Sequence, residues 1–436
     1  MEDTIVAPAT PLGRGGISVI RVSGVGAKKS GEFVCGELNE PWVFKACHIK
    51  NKKGSVVDSG LVVFFKSPRS YTGEDVVEVH CHGSPVVVDV VIESFLASGC
   101  RMASPGEFTK RAYLNEKIDM TQAEAVSDLI ASETKEAARA AHNSLVGQFS
   151  RLVSGVIDRL VSFRVLVESS IDFVDEDGVV LDNKARSSLV PSIKKEVRSL
   201  RSLVESSKEG ARLREGIKIS LIGPPNSGKS TLLNLLSKED IAIVSDVPGT
   251  TRDVLRVRLN LGGVLCELSD TAGIRSSSSD PIEREGMKRA AKEAGLSDLV
   301  LLISSPNEQV DFDTKDVPYL RVINKLDLVD VKGASGVYIS SLTGEGIEKL
   351  KASILSAIGF SGSSEVPVLA RRRHLYYLER ALKNLERSVE LAEENMGLEL
   401  VAEELSLAHL ELGNISRPMS SDDLLGEIFS EFCIGK

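Results

Sequence analysis

The stretch Leu221-Ile222-Gly223-Pro224-Pro225-Asn226-Ser227-Gly228-Lys229-Ser230-Thr231 constrains this chain more than any other. It has the pattern of a phosphate-binding loop and stands in the context such a loop requires. Ile217 to Ile222 is a short apolar run with β character, and Leu232, Leu233, Leu235 and Leu236 open a helical stripe. Gly223 and Gly228 let the backbone curl so that successive N–H groups and the following helix N-terminus face an anion. Asn226 to Thr231 are therefore candidate phosphate-binding residues, with Lys229 as a point charge for the outer phosphates and Ser230 as a hydroxyl for Mg²⁺.

Three further elements follow in order. Asp270-Thr271-Ala272-Gly273 comes after an apolar strand, Val264 to Leu268, and fits a carboxylate on the Mg²⁺ side with a glycine that reports the γ-phosphate. Asn324-Lys325-Leu326-Asp327 follows the predicted strand Tyr319 to Ile323. A carboxylate there accepts both N1–H and the 2-amino group of guanine and rejects adenine, because the acid would go unsatisfied. Ser340-Ser341-Leu342, after Val337 to Ile339, closes over the base. Each element is short, but together, in this order and each at a strand end, they specify a GTPase.

A chain of 436 residues, 42% hydrophobic and 26% charged, is expected to hold two to four globular domains. No apolar run reaches the ~18 residues of a membrane span. Met1-Glu2-Asp3-Thr4 is acidic where a signal peptide needs positive charge, so the expectation is a cytosolic protein with reduced thiols. Cys35, Cys47, Cys81, Cys100, Cys266 and Cys433 show no paired metal-ligand spacing. His80-Cys81-His82 invites a metal reading, yet on a strand alternate residues face opposite ways. The net charge of −9 argues against a uniformly basic face for nucleic acid. The local basic clusters are Lys194-Lys195 with Arg198 and Arg201, Arg212 with Arg214, and Arg371-Arg372-Arg373-His374, and they read as solvated helix faces.

Along the chain the fold class is multidomain α/β. An N-terminal α+β domain, 1–118, has predicted strands at Thr4 to Ala7, Ile17 to Val22, Leu61 to Phe65 and Val76 to Val79, and a helix over Val86 to Leu96. An all-α helical domain begins with 119–215, where Leu145, Phe149, Leu152, Val156, Leu160, Phe163 and Val167 follow a helical stripe. The P-loop GTPase domain, of Ras-like α/β type, takes 216–359. The second part of the helical domain takes 360–436, with helices predicted over Leu369 to Leu391, Leu400 to Leu412 and Leu424 to Phe432. Helices on both sides suggest that the GTPase domain is inserted into the helical one.

These motifs resemble the MnmE (TrmE) family of tRNA-modification GTPases over essentially the whole chain. The likeness extends to Asp3-Thr4-Ile5-Val6-Ala7, Thr10-Pro11-Leu12-Gly13-Arg14-Gly15-Gly16, Tyr71-Thr72-Gly73-Glu74-Asp75-Val76-Val77-Glu78, Pro105-Gly106-Glu107-Phe108 and the tail Phe432-Cys433-Ile434-Gly435-Lys436. The resemblance implies an N-terminal folate-binding domain that forms a homodimer. It also implies partnership with the FAD-dependent protein MnmG in a heterotetramer-type complex. The product is a carboxymethylaminomethyl or aminomethyl group on C5 of the tRNA wobble uridine, position 34. A tetrahydrofolate derivative, 5-formyl- or methylene-tetrahydrofolate, supplies the carbon, and Arg21, Glu78, Lys117 and Lys436 fall at the family's folate-binding positions. Cys433 sits where the family has its C-terminal cysteine, with a catalytic role or a buried thiol both open.

The same resemblance bears on hydrolysis. Small signalling GTPases carry glutamine after the glycine of Asp-Thr-Ala-Gly, but Ile274 stands here and cannot orient water. The family points to Glu283 as the catalytic residue, with Glu285 as local competitor. It uses K⁺ in place of an arginine finger, held by Asn226, Ser245, Val247 and Thr250 and completed when two GTPase domains meet. Ser245, Asp246, Val247, Pro248, Gly249, Thr250 and Thr251 join the GTP-binding set, with Thr251 on Mg²⁺ when its loop closes; Ser245 and Pro248 depart from the family pattern. Two other readings share the nucleotide site. One is a regulatory GTPase switch in ribosome assembly, which needs neither the folate-type domain nor the cysteine tail. The other is a folate-dependent methyltransferase with a regulatory nucleotide domain.

Overall fold

A computed structural model describes residues 3–172, 178–239, 255–270, 292–306, 308, 312–314, 317–328, 335–360, 368–394, 396–416, 429–430, 432 and 435–436, with backbone alone for 172, 178–186, 188, 238–239, 255–256 and 270. The chain forms two compact units, Met1–Ser127 with Gly413–Lys436, and Asp128–Leu412.

In the first unit β1 (Ile5–Pro8), β2 (Gly15–Ser23), β3 (Lys45–Lys50), β4 (Val56–Phe65), β5 (Val76–Gly83) and β6 (Arg101–Met102) form one sheet in the order β3-β4-β5-β2-β1-β6. Neighbours run antiparallel except β6, which lies parallel to β1. Alternation along β5 decides the faces: Val77, Val79 and Cys81 are buried, and Val88, Val91 and Phe95 of α2 (Pro85–Ala97) join them in one core with Ala27 and Val34 of α1 (Ala27–Cys35). Glu78, His80 and His82 alternate with them and are less buried. Strand β3 was not anticipated, since only Ile49 of its six residues is fully buried and an edge strand gives no strong apolar alternation. α3 (Glu107–Leu114) follows β6, and α4 (Met120–Ile130) leads into the second unit.

The second unit opens with α5 (Lys135–Leu145), α6 (Gln148–Asp172) and α7 (Gly178–Glu215). The long helical stretch read from the sequence is thus broken, and Thr134 caps α5 by accepting from Ala137 N–H at 3.1 Å. Next come β7 (Ile217–Ile222), α8 (Lys229–Glu239), β8 (Leu255–Leu261), β9 (Val264–Asp270), β10 (Leu299–Ser304), β11 (Tyr319–Ile323), β12 (Val337–Tyr338) and α9 (Ile347–Ala357). Their sheet runs β12-β11-β10-β7-β9-β8 and is parallel except for β8. Ile219, Leu221, Leu301 and Ile303 are fully buried at its centre, as expected of parallel strands covered on both faces. The chain leaves β7 on one side for β8 and β9 and returns on the other as β10, so the carboxyl end of β7 is a topological switch point, where ligands bind in open α/β sheets.

Helix α10 (Arg372–Glu393) packs along α7, joined by Lys194–Glu393 at 2.5 Å, Arg201–Glu386 at 2.5 Å and Lys208–Glu379 at 3.2 Å. Arg214 and Arg371 share Asp128 at 2.9 and 3.0 Å, and Arg372 meets Glu215 at 3.0 Å. Many of the basic clusters seen in the sequence are therefore neutralised by neighbouring acids. α11 (Leu398–Ser416) ends the described helices, and most of the predicted helix Leu424 to Phe432 lies outside the described residues.

Candidate functional site

The phosphate-binding stretch leaves β7 at the switch point. Gly223 has no room for a side chain, because a Cβ there would run into the Ile303 carbonyl oxygen on the neighbouring strand. Asn226 turns the loop in the left-handed region, φ 65°. Gly228, φ 93°, is doubly required: the conformation favours glycine, and a Cβ would collide with the Asn324 side-chain amide. Lys229 opens α8 with 7% of its surface exposed, and its Nζ donates to the Gly223 and Pro224 carbonyls, both at 2.9 Å. Ser230 and Thr231 are exposed in the first turn of α8. Ser227 Oγ is buried and has no hydrogen-bond partner among the described residues. An orphaned hydroxyl and an ammonium folded back on loop carbonyls fit an anion-binding loop, since a phosphate oxygen satisfies both.

Asn324 fastens this loop to the base-recognition elements. It is 1% exposed, its Nδ2 donates to Ser227 O at 2.8 Å, and its Oδ1 accepts from both the N–H and the hydroxyl of Ser341 at 2.9 Å. One amide thus joins the ends of β7, β11 and β12. Lys325 adopts φ 67°, and Leu326–Leu328 form a single 3₁₀ turn. Ser340 Oγ donates to Asp327 Oδ1 at 2.5 Å and accepts from Thr343 N–H at 3.2 Å. The serine thereby orients the carboxylate read as the guanine acceptor, while Leu342 is 80% exposed. Asp270 closes β9 opposite Leu255 and beside Leu221. Ser245, Asp246, Val247, Pro248, Gly249, Thr250, Thr251, Thr271, Ala272, Gly273, Glu283 and Cys433 lie outside the described residues.

In the first unit Arg21 and Glu78 are cross-strand partners, with Arg21 Nε donating to Glu78 Oε1 at 2.8 Å. The Arg21 guanidinium lies 5.2 Å from the Tyr71 ring centre and 5.8 Å from that of Phe108. Glu78 Oε2 is 3.8 Å from His80 Nε2. Lys117 Nζ donates to Pro68 O at 3.0 Å and so anchors the loop that carries Tyr71. Gly435, φ 94°, lies so close to Pro8 that a Cβ would meet its carbonyl oxygen, which places Lys436 beside the end of β1.

Sequence reasoning missed the group that holds this region together. Arg111 is fully buried, and its guanidinium donates to Asp3 O at 3.0 Å, Asp3 Oδ1 at 2.8 Å, Glu74 Oε2 at 3.1 Å and Glu107 Oε1 at 3.0 Å. Burial by itself raises the Glu107 carboxyl, but hydrogen bonds from Arg101, the Ser104 N–H and Arg111 outweigh it and hold the group below the usual range. A signal existed, since Glu74 and Glu107 both sit in stretches singled out above; Arg111 itself looks like an ordinary helical charge. Cys81 is buried with its thiol pushed up to about 11 by burial, while His82 turns outward to Asp58 at 2.7 Å. No group of three metal-ligating side chains occurs among the described residues, nor is any helix there long and apolar enough to cross a membrane.

Two family models match the chain: one described as the MnmE helical domain, over residues 120–433, and one as the GTP-binding protein TrmE N-terminus, over residues 4–117. The chain is 42% identical to the tRNA modification GTPase MnmE of Francisella tularensis subsp. novicida over 453 aligned residues, covering 100% of this chain and 99% of the relative. It is likewise 42% identical to the protein of the same name from Erwinia tasmaniensis, over 455 residues and the same shares of each chain. Among solved structures, the G domain of the T. maritima FeoB iron transporter is 25% identical and covers 32% of this chain and 98% of its own, at a TM-score of 0.25.

Proposed function

The chain belongs to the MnmE (TrmE) family of tRNA modification GTPases, and from that premise we propose that its GTP hydrolysis drives C5 modification of the tRNA wobble uridine. The partner is the FAD-dependent protein MnmG, and the added group is carboxymethylaminomethyl or aminomethyl. The observation that carries the reading is the extent of the relationship. It spans both compact units and includes the N-terminal family model, which a bare GTPase switch in ribosome assembly does not need.

The nucleotide unit would bind GTP through Lys229, Ser230 and the loop N–H groups. Asp327, oriented by Ser340, would accept from the guanine edge, and Glu283 would position the attacking water. Ser230 and Thr251 would hold Mg²⁺, and Asn226, Ser245, Val247 and Thr250 would hold K⁺, with only Ser230 and Asn226 among the described residues. A cation held there would neutralise negative charge that develops on the phosphates during hydrolysis. In the N-terminal unit, which would pair two copies of the chain, Arg21, Glu78, Lys117 and Lys436 would bind a tetrahydrofolate derivative. The partly exposed Arg21–Glu78 pair beside Tyr71 presents a donor and an acceptor that suit the hydrogen-bonding edge of a heterocycle, while Phe108 backs Arg21 from the core. That ligand supplies one carbon, and Cys433 is the nearest reactive side chain in sequence to Lys436.

Mass spectrometry of tRNA from cells lacking the chain tests the proposal. The C5 group on wobble uridine should disappear and return when the wild-type gene is supplied, but not when Glu283→Ala is supplied. An unchanged nucleoside profile in the deleted cells would sink it.

A further inference from the structure

Strands β8 and β9 form an antiparallel hairpin, with Leu255 opposite Asp270 at its open end and Leu261 opposite Val264 at its tip. In sequence, the open end adjoins both elements that answer to the γ-phosphate: Thr251 precedes Leu255, and Thr271-Ala272-Gly273 follows Asp270. The closed end and one flank rest on the helical part of the same unit. Gly263, φ 97°, packs so tightly on α5 that a Cβ would stand 2.5 Å from Glu136 Cγ and 2.8 Å from its Cδ. On the flank, Arg258 Nη1 donates to Glu133 Oε1, just ahead of α5, at 3.1 Å. Its Nε lies 3.8 Å from Glu267 Oε2, and Glu267 is its direct cross-strand partner. A cavity of about 510 Å³ opens beside these side chains and is lined by Glu133, Thr134, Arg258, Glu267 and Lys218, so the arginine has space to move between its two acids.

We propose that this hairpin transmits the nucleotide state to the helical part through α5, with Arg258 exchanging between Glu133 and Glu267 as the two ends of its travel. The two contacts suit the two tasks. Arg258 is 45% exposed and Glu133 39%, and ion pairs that wet are weak and easily exchanged. Beside Gly263, Ala140 and Ala141 of α5 are fully buried in one core with Leu259, Leu261 and Val264 of the hairpin, and a close-packed core of this kind passes a shift of the hairpin on to α5. The link to tRNA modification rests on the function proposed above, whereas the hairpin's response to nucleotide does not.

Glu133→Gln and Glu267→Gln test the exchange because they bias Arg258 in opposite directions, which plain destabilisation cannot do. In the full-length wild type, hydrogen exchange of peptides covering 135–145 should differ between GDP and GDP with fluoroaluminate. Glu133→Gln should fix α5 in its faster-exchanging form with either nucleotide, and Glu267→Gln in its slower form. GTP turnover of both variants should stay within about threefold of wild type, while wobble-uridine modification falls about 5- to 150-fold, the usual span of coupling between sites. The inference is overturned if α5 exchange is blind to nucleotide in the wild type, or if both variants track nucleotide as the wild type does. A wild type that supports no modification defeats the proposed function alone, since the exchange experiment still judges the hairpin.

Discussion

In the nucleotide-binding segment a neutral amide, Asn324, ties together the ends of three strands, whereas in the N-terminal unit a charged guanidinium, Arg111, ties the chain start, a loop and a helix. Both groups are almost wholly buried, at 1% and 0% exposure. The amide costs little to bury because each of its sides is paired with a backbone or hydroxyl partner at ordinary distance. The guanidinium is costly to desolvate and is tolerable only because Asp3, Glu74 and Glu107 surround it. A neutral hub is suited to a loop that must admit and release a charged ligand, since it adds no fixed charge of its own. A charged hub makes the surrounding segments interdependent, and the loop carrying Tyr71 and the helix carrying Phe108 are two of those segments.

The largest effect should therefore come from Arg111→Met. It takes the buried cation from between Glu74 and Glu107, although Arg101 still holds Glu107 and Asp3, and is expected to cost about 3–5 kcal/mol. Trp42 is the sole tryptophan and lies in the first unit, packed on Phe65 at 5.1 Å between ring centres, so its fluorescence in a urea titration reads that unit alone. Asn324→Ala should be milder. It strips partners from Ser227 O and Ser341 N–H at a cost of about 1–3 kcal/mol, and guanine-nucleotide affinity should fall about 5- to 150-fold in a fluorescent GDP titration. If Arg111→Met shifted the Trp42 transition by less than the Asn324→Ala loss, the contrast between charged and neutral hubs would be wrong.

The same contrast explains what the sequence reveals. The nucleotide site is built from short contiguous runs at strand ends, because phosphate is bound by backbone N–H groups and a few neighbouring side chains. Gly223, Gly228, Lys229, Asn324 and Asp327 were therefore legible as a set, down to the strands that carry them. Ser340 was read as a lid over the base, and its bond to Asp327 becomes visible only in three dimensions. The N-terminal region is assembled from Arg21, Tyr71, Glu78 and Phe108, each on a different element and each an unremarkable residue by itself. No spacing rule connects them, so Arg21 and Glu78 entered through family resemblance, and Tyr71, Phe108 and Arg111 had no assigned role before the fold was known. Strand β3 was missed for a related reason: an edge strand with a single fully buried residue leaves no period to detect.

The smallest effect expected is a pH dependence confined to the first unit. Asp3 is partly desolvated, which raises its carboxyl, but hydrogen bonds and charge from Arg101 and Arg111 outweigh this and lower it, as they do for Glu107. A carboxyl whose folded-state pKa lies below its unfolded value binds its proton more readily when unfolded. Its stabilising contribution is complete above about pH 4 to 4.5, the ordinary range, and is lost as pH falls through the folded value. The urea midpoint reported by Trp42 should therefore be level near neutrality and drop on acidification below that range. Glu107→Gln cannot take up the proton and should flatten the drop while lowering the neutral-pH midpoint. Asn324 carries no titrating proton, so its hub contributes no acid slope to the nucleotide segment. An acid-induced drop in Glu107→Gln as steep as in the wild type would assign the pH dependence to other carboxylates, such as Asp58, held low by hydrogen bonds from His82 despite its burial, and would remove the Arg111 cluster from its account.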